Sequence, residues 1–296
     1  MQEKVENRKY NLLMFMPFVL ISLIVYVSTF IVAEYETIKV LTSTGFTDMK
    51  QLEEKLLSVV MTDNCLRLVN ILYAVISVVV FGMMYYHFRK RDMKKNPVQY
   101  EKKANMRMLV VAVLVTIIAI VFFSEIVSFF IKMVLPQWYV DYSMNVASGA
   151  FSDVTNPATI VYAVILSPIV EELAFRGLTF LYAKKVNSTV MAMIYSTLLY
   201  LLFIGDKYEA VVLATTSIVF VYVMEKYDSI ILVILMHMGC NALAILPISD
   251  WLKFSIKEAP LVMFTEILGG MVTLYLSIFL LKKAAPVKKI EKASEI

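Results

Sequence analysis

Eight apolar stretches decide what this chain can fold into. They run near residues 11–33, 64–88, 107–135, 158–183, 188–205, 210–225, 229–247 and 260–282, and few charges interrupt them. A bilayer core of about 30 Å is crossed by about 20 helical residues, and most of these stretches reach that length. They are apolar all round rather than on one face, as membrane spans are. None alternates in the manner of a strand, and lipid admits only helices or closed barrels. The expected fold is therefore all-α: a polytopic integral membrane bundle of about eight transmembrane helices. The chain is 60% hydrophobic and 18% charged, against about 45–50% and about 25% for a soluble domain, so no segment is left over for a soluble domain. The fifth and sixth stretches are the shortest, with only Gly205-Asp206-Lys207-Tyr208-Glu209 between them.

Charge placement orients the bundle. Basic residues cluster at Arg89–Lys95, Lys102–Arg107, Lys184–Lys185 and Lys282–Lys292, whereas 34–63 is rich in acids and 136–157 has Asp141 and Asp153 without Lys or Arg. Flanking apolar spans, such clusters read as cytoplasmic loops and not as a nucleic-acid patch. With eight spans, both termini are cytoplasmic. The basic loop 88–106 and the tail are expected to be mobile and to lie against anionic headgroups of membrane lipids. The first span is expected to be retained, since Phe30-Ile31-Val32-Ala33 supplies no small-residue cleavage site. Cys65 and Cys240 sit in apolar segments and read as small hydrophobes, not as a disulfide framework. The lack of long soluble tails suits a bacterial plasma membrane.

Charge inside a span costs roughly 2.5–3.5 kcal/mol on insertion scales, so it needs a partner or a task. The fourth span contains SPIVEELAFRG, residues 167–177. Glu172 and Arg176 are four apart and share a helix face in the favourable order for an ion pair. Glu171, turned by about 100° from Glu172, is free to face a cavity. Pro168 is expected to leave the Val164 carbonyl unpaired and to kink the helix. The bland alternative is a helix end whose Arg176 snorkels to the headgroups. The seventh span contains HMGCN, with His237 and Asn241 on one face. Taken alone, these are packing residues that bond to a neighbouring helix. Their depth, about eight residues or roughly 12 Å from the inner end of the span, lets them meet the Glu pair.

Other polar residues are weaker candidates. Ser196 and Tyr200 share a face of the fifth span. Asp206, Lys207 and Glu209 read as a solvated turn at its outer end. Glu125 in the third span and Glu266 in the eighth are isolated acids, each either an ion ligand or a group bonded to backbone.

Together, these motifs resemble the signatures of the CAAX prenyl endopeptidase and bacteriocin-processing (Abi, CPBP) family of intramembrane proteases. Glu171, Glu172 and Arg176 match EExxxR, with Pro168 and Gly177 in context, and His237 and Asn241 match HxxxN. The resemblance covers roughly 150–250. It divides the chain into an N-terminal three-span region (1–149), a protease-like core (150–250), and a last span with a basic tail (251–296). It implies that Glu171 activates a water, that His237 and Asn241 stabilise the oxyanion, and that Glu172 and Arg176 support them. The family's third signature, FxxxH, is not intact. Aligned through Ser196-Thr197-Leu198-Leu199, Tyr200 stands at the Phe position and Ile204 at the His position. Starting from Phe203 instead puts Lys207 there. Asp206 would serve as a substitute only where the helix end unwinds.

Three functions remain open on this reading. One is an intramembrane endopeptidase acting on a membrane-tethered peptide or protein. Another is a catalytically impaired relative acting as a scaffold, regulator or bacteriocin-immunity protein. The third is a small proton-coupled transporter using Glu125, Glu171 or Glu266. A polar cavity near the inner side, formed by spans four, five and seven, would serve the first. No cofactor is expected: a catalytic zinc wants three protein ligands, and adjacent Glu side chains diverge on a helix.

Overall fold

The computed structural model describes residues 9–43, 50, 53–54, 62–95, 100–147, 155–245 and 260–288. Its helices are α1 (Met16–Ser43), α2 (Asp63–Lys95), α3 (Met106–Val134), α4 (Pro136–Ala147), α5 (Pro157–Ala183), α6 (Thr189–Ile204), α7 (Lys207–Tyr227), α8 (Ile230–Ile245) and α9 (Pro260–Ala284). Six are long and apolar enough to cross a membrane, and α6 and α8 are shorter apolar helices. All eight expected stretches are thus helical, and the chain is an integral membrane bundle.

Local chemistry sets the boundaries. Pro157 opens α5 where a missing N–H costs nothing, and the Asn156 side chain accepts from the Ala158 N–H at 2.9 Å. Between α6 and α7 the chain turns in two residues. Gly205, at φ 74°, ends α6 in the left-handed region, and Asp206 caps α7 by accepting from the Glu209 N–H at 3.0 Å. The α7–α8 turn repeats the device with Asp228 at φ 52° and Ser229 as cap. Asp228 is a non-Gly residue in that region, and Arg89 of α2 holds its carboxylate at 2.7 Å. These tight turns lay α6, α7 and α8 side by side.

The centre of the bundle is α5. More than half of its apolar window is buried, 56%, against 22–39% for the other five long spans. It packs against α1, α2, α6, α7 and α8. The helix is not regular: it is a π-helix over Tyr162–Leu166 and again over Glu172–Thr179. Such wide turns are rare and gather at functional sites. The first one changes the effect of Pro168. In the π register the Ser167 N–H bonds the Tyr162 carbonyl, so the N–H that Pro168 lacks would fall next on the Ala163 carbonyl. Away from α5, α3 pairs closely with α9 and is tied to it by Thr116 and Ser277, 3.0 Å apart.

Two loops differ from expectation. The segment after the third span is not all loop, because Pro136 starts α4, a twelve-residue helix whose Tyr139 and Tyr142 rings pack on Tyr208 of α7. The described parts of the basic loop include secondary structure. Helix α2 continues to Lys95, and β1 (Tyr100–Lys102) pairs antiparallel with β2 (Val287–Lys288), joining it to the start of the tail. Asp92 also pairs with Lys185. The remaining tail, from residue 289, lies outside the described residues.

Candidate active site

The cluster is built around His237. Its Nδ1 lies 2.8 Å from Glu172 Oε1, and its Nε2 lies 3.9 Å from Glu171 Oε2. The first is a hydrogen bond and the second is beyond one. Glu172 therefore fixes the ring, and the opposite ring nitrogen is presented to Glu171. The same Glu172 oxygen accepts from Arg176 Nη1 at 3.1 Å. Glu172 and Arg176 are both 0% exposed, so this is an ion pair shut inside the protein and not a snorkelling end. Arg176 Nη2 donates to Ser217 Oγ of α7 at 2.9 Å, and its guanidinium lies 4.3 Å from the Tyr200 ring centre. Phe220 of α7 backs the His237 ring at 5.2 Å.

Glu171 stands apart from this pair. It is 8% exposed, and the Ser167 hydroxyl, one turn earlier, donates to its Oε1. Tyr73 of α2, Tyr162, Tyr200 and Glu209 all lie within its electrostatic range. Adjacent glutamates were expected to diverge, yet the helix brings both carboxylates to the rim of one imidazole. Among the described residues, no group of three His, Cys, Asp or Glu is arranged to hold a metal ion.

Asn241 is placed differently from His237. Its Nδ2 donates to the Ala163 carbonyl at 2.8 Å. That is the carbonyl on which the N–H missing at Pro168 would fall in the π register, so Asn241 completes the backbone of the irregular helix. One amide hydrogen is used there, and among the described residues nothing takes the second. Asn241→Ala is expected to cost about 1–3 kcal/mol, the penalty for a buried carbonyl left unpaired. A drop in the unfolding midpoint of the detergent-solubilised chain would measure it, and Asn241→Asp, which cannot donate when ionised, should not restore it.

Four of the five signature residues, Glu171, Glu172, Arg176 and His237, meet in one place, while Asn241 bonds the Ala163 carbonyl, and the set of contributing helices is wider than expected. Helix α7 supplies Ser217 and Phe220, which no sequence pattern marked. Ser167 was legible in principle, being four residues before Glu171 on the same helix. The depth of the cluster agrees with the roughly 12 Å expected for His237. Arg176 is level with Ser217, ten residues from the end of α7, or about 15 Å of rise. Glu209 is half-buried and faces the cluster, not a solvated turn. Asp206 is committed to its cap. Lys207 is exposed and Ile204 is packed among apolar neighbours. Glu125 is half-buried within reach of Tyr208; the side chain of Glu266 lies outside the described residues.

Residues 153–243 match the family model of the type II CAAX prenyl endopeptidase, Rce1-like. The match takes in α5 to α8 with both signatures, and it bears out the resemblance read from them. No curated protein and no solved structure matches the chain.

Proposed function

Taking residues 153–243 as a domain of that intramembrane-protease family, we propose that the chain is an endopeptidase cleaving a peptide segment tethered to or lying within the membrane, in a bacterial plasma membrane. One observation carries this reading. Glu171 is the buried carboxylate of the cluster that Arg176 does not hold, and it sits against the free edge of an imidazole already fixed by Glu172. A carboxylate in that setting can take a proton from water, and a general base of this kind contributes about 10²–10⁴ in rate. The water oxygen bonds the peptide carbonyl carbon. His237 Nδ1–H is spent on Glu172, so the ring donates to the developing oxyanion from Nε2 only with both ring nitrogens carrying hydrogen, and the second amide hydrogen of Asn241 adds to it. Aimed donors act strongly where water is excluded. Glu172 and Arg176 serve by holding His237 still.

A scaffold or regulatory role has its own support in Ile204, which stands where the third signature carries histidine. The test separates the two. Cells expressing wild type or Glu171→Gln at matched levels are compared for fragments of membrane peptides and lipoproteins by mass spectrometry. The endopeptidase reading expects a set of fragments that the variant lacks. Identical fragment sets, in cells where deleting the whole chain still has an effect, would leave the scaffold.

A further inference from the structure

We propose that Glu209 is the second carboxylate of the active site, holding the attacking water together with Glu171 and giving its proton to the leaving amine. The proposal rests on the endopeptidase reading and adds a catalytic residue that neither signature contains.

The turn before α7 places this residue. Asp206-Lys207-Tyr208-Glu209 has the spacing of a capping box, in which the glutamate side chain turns back to bond the backbone N–H of the cap residue. Only half of the box forms. The Glu209 N–H donates to Asp206 Oδ1 at 3.0 Å, but among the described residues nothing bonds the Glu209 carboxylate. Where a local rule fails inside a well-packed fold, function is the usual reason. Tyr208 points the other way, bonded to Ser128 of α3 at 2.6 Å and packed on Tyr142 at 4.7 Å. One residue on, turned by about 100°, Glu209 faces α5 and α6. The groups around it are Glu171 from α5, Tyr200 from α6, Tyr142 from α4 and Asp206 of its own cap. None of them is a cation that would neutralise it.

The position also answers a deficit. Ile204 at the end of α6 offers no hydrogen bond to a water beside Glu171. Glu209 reaches the same region from the start of the next helix. A protonated carboxyl group on the far side of that water would complete the grip, Glu171 accepting from the water and Glu209 donating to it. The step then balances. Glu171 accepts a proton from the water as its oxygen bonds the carbonyl carbon. When the C–N bond breaks, the nitrogen takes the proton carried by Glu209. The products are a carboxylic acid and an amine, and the pair ends with one proton, now on Glu171.

The test uses the full chain in membranes and, as substrates, the fragments whose formation Glu171→Gln abolishes. Glu209→Gln keeps size and removes the charge; it is expected to lower fragment formation by about 100-fold or more, with yield and unfolding midpoint unchanged. Glu209→Asp, which keeps the acid but withdraws it, should fall in between. Lys207→Ala, exposed on the same turn, should match wild type. If Glu171→Gln is inactive while Glu209→Gln cleaves at the wild-type rate, the proposal fails and the endopeptidase reading stands. If Glu171→Gln has no effect, both fall together. Should the Gln variant not accumulate, the Asp variant decides, since wild-type cleavage by it would show that the placement of the acid is immaterial.

Discussion

Arg176→Met destabilises the folded chain by about 3–5 kcal/mol, the usual loss when one partner of a buried ion pair is removed. The reason lies with what remains. Glu172 is 0% exposed and one of its oxygens, Oε2, already has no hydrogen-bond partner. Without Arg176, only the His237 ring would answer a charge with no access to water. Ser217 would lose its partner too, and the Tyr200 ring would lose the guanidinium 4.3 Å from its centre. Methionine fills much of the volume, so the loss is electrostatic rather than a cavity. The double variant Glu172→Leu with Arg176→Met removes both charges and should recover most of the loss, since buried pairs replaced by apolar groups are often neutral. Unfolding midpoints in mixed detergent micelles would complete the cycle. A loss below about 1 kcal/mol for the single variant, as for an exposed pair, would mean that water reaches Glu172.

The same cluster shows why the sequence was legible in some places and not in others. Apolar length and all-round hydrophobicity report on solvent, and lipid leaves helices as the natural answer, so the eight apolar helices could be read directly. The Glu172–Arg176 pair could be read because it lies within one helix, where spacing is distance. Contacts between helices have no such ruler. Nothing in the neighbourhood of Ser217 says that α7 will bring it to Arg176, and nothing around Asn241 says that it will meet Ala163. The orphaned carbonyl was assigned to Val164 on the assumption of a regular α-helix. The π register brings Ala163 into the account as well, and Asn241 bonds its carbonyl. Glu209 was misplaced for a different reason. A charged trio beside a glycine looks solvated, and the turn does expose Lys207 while folding Glu209 inward. The helix α4 escaped notice because twelve residues of mixed polarity carry a weak signal next to long apolar spans.

Glu171→Gln and His237→Ala are each expected to reduce cleavage by orders of magnitude, and the double variant to reduce it no further than the worse single. Removing a general base costs about 10²–10⁴, and removing one oxyanion donor costs about 10²–10³. Independent contributions would multiply, to about 10⁴–10⁷ from those same ranges. Groups that act as a unit do not, and here one ring edge faces Glu171 while the other is bonded to Glu172. Once Glu171 cannot take the proton, a well-placed donor for the oxyanion has no step left to assist. His237→Gln refines the point. It can keep a bond to Glu172 yet cannot present a second donor from a fixed ring, so it should retain the fold better than His237→Ala without regaining the rate. Fragment formation by purified protein in lipid vesicles, at equal loading, provides the comparison. Full multiplication of the two losses would separate His237 from Glu171 and give it a task of its own, on a different part of the substrate.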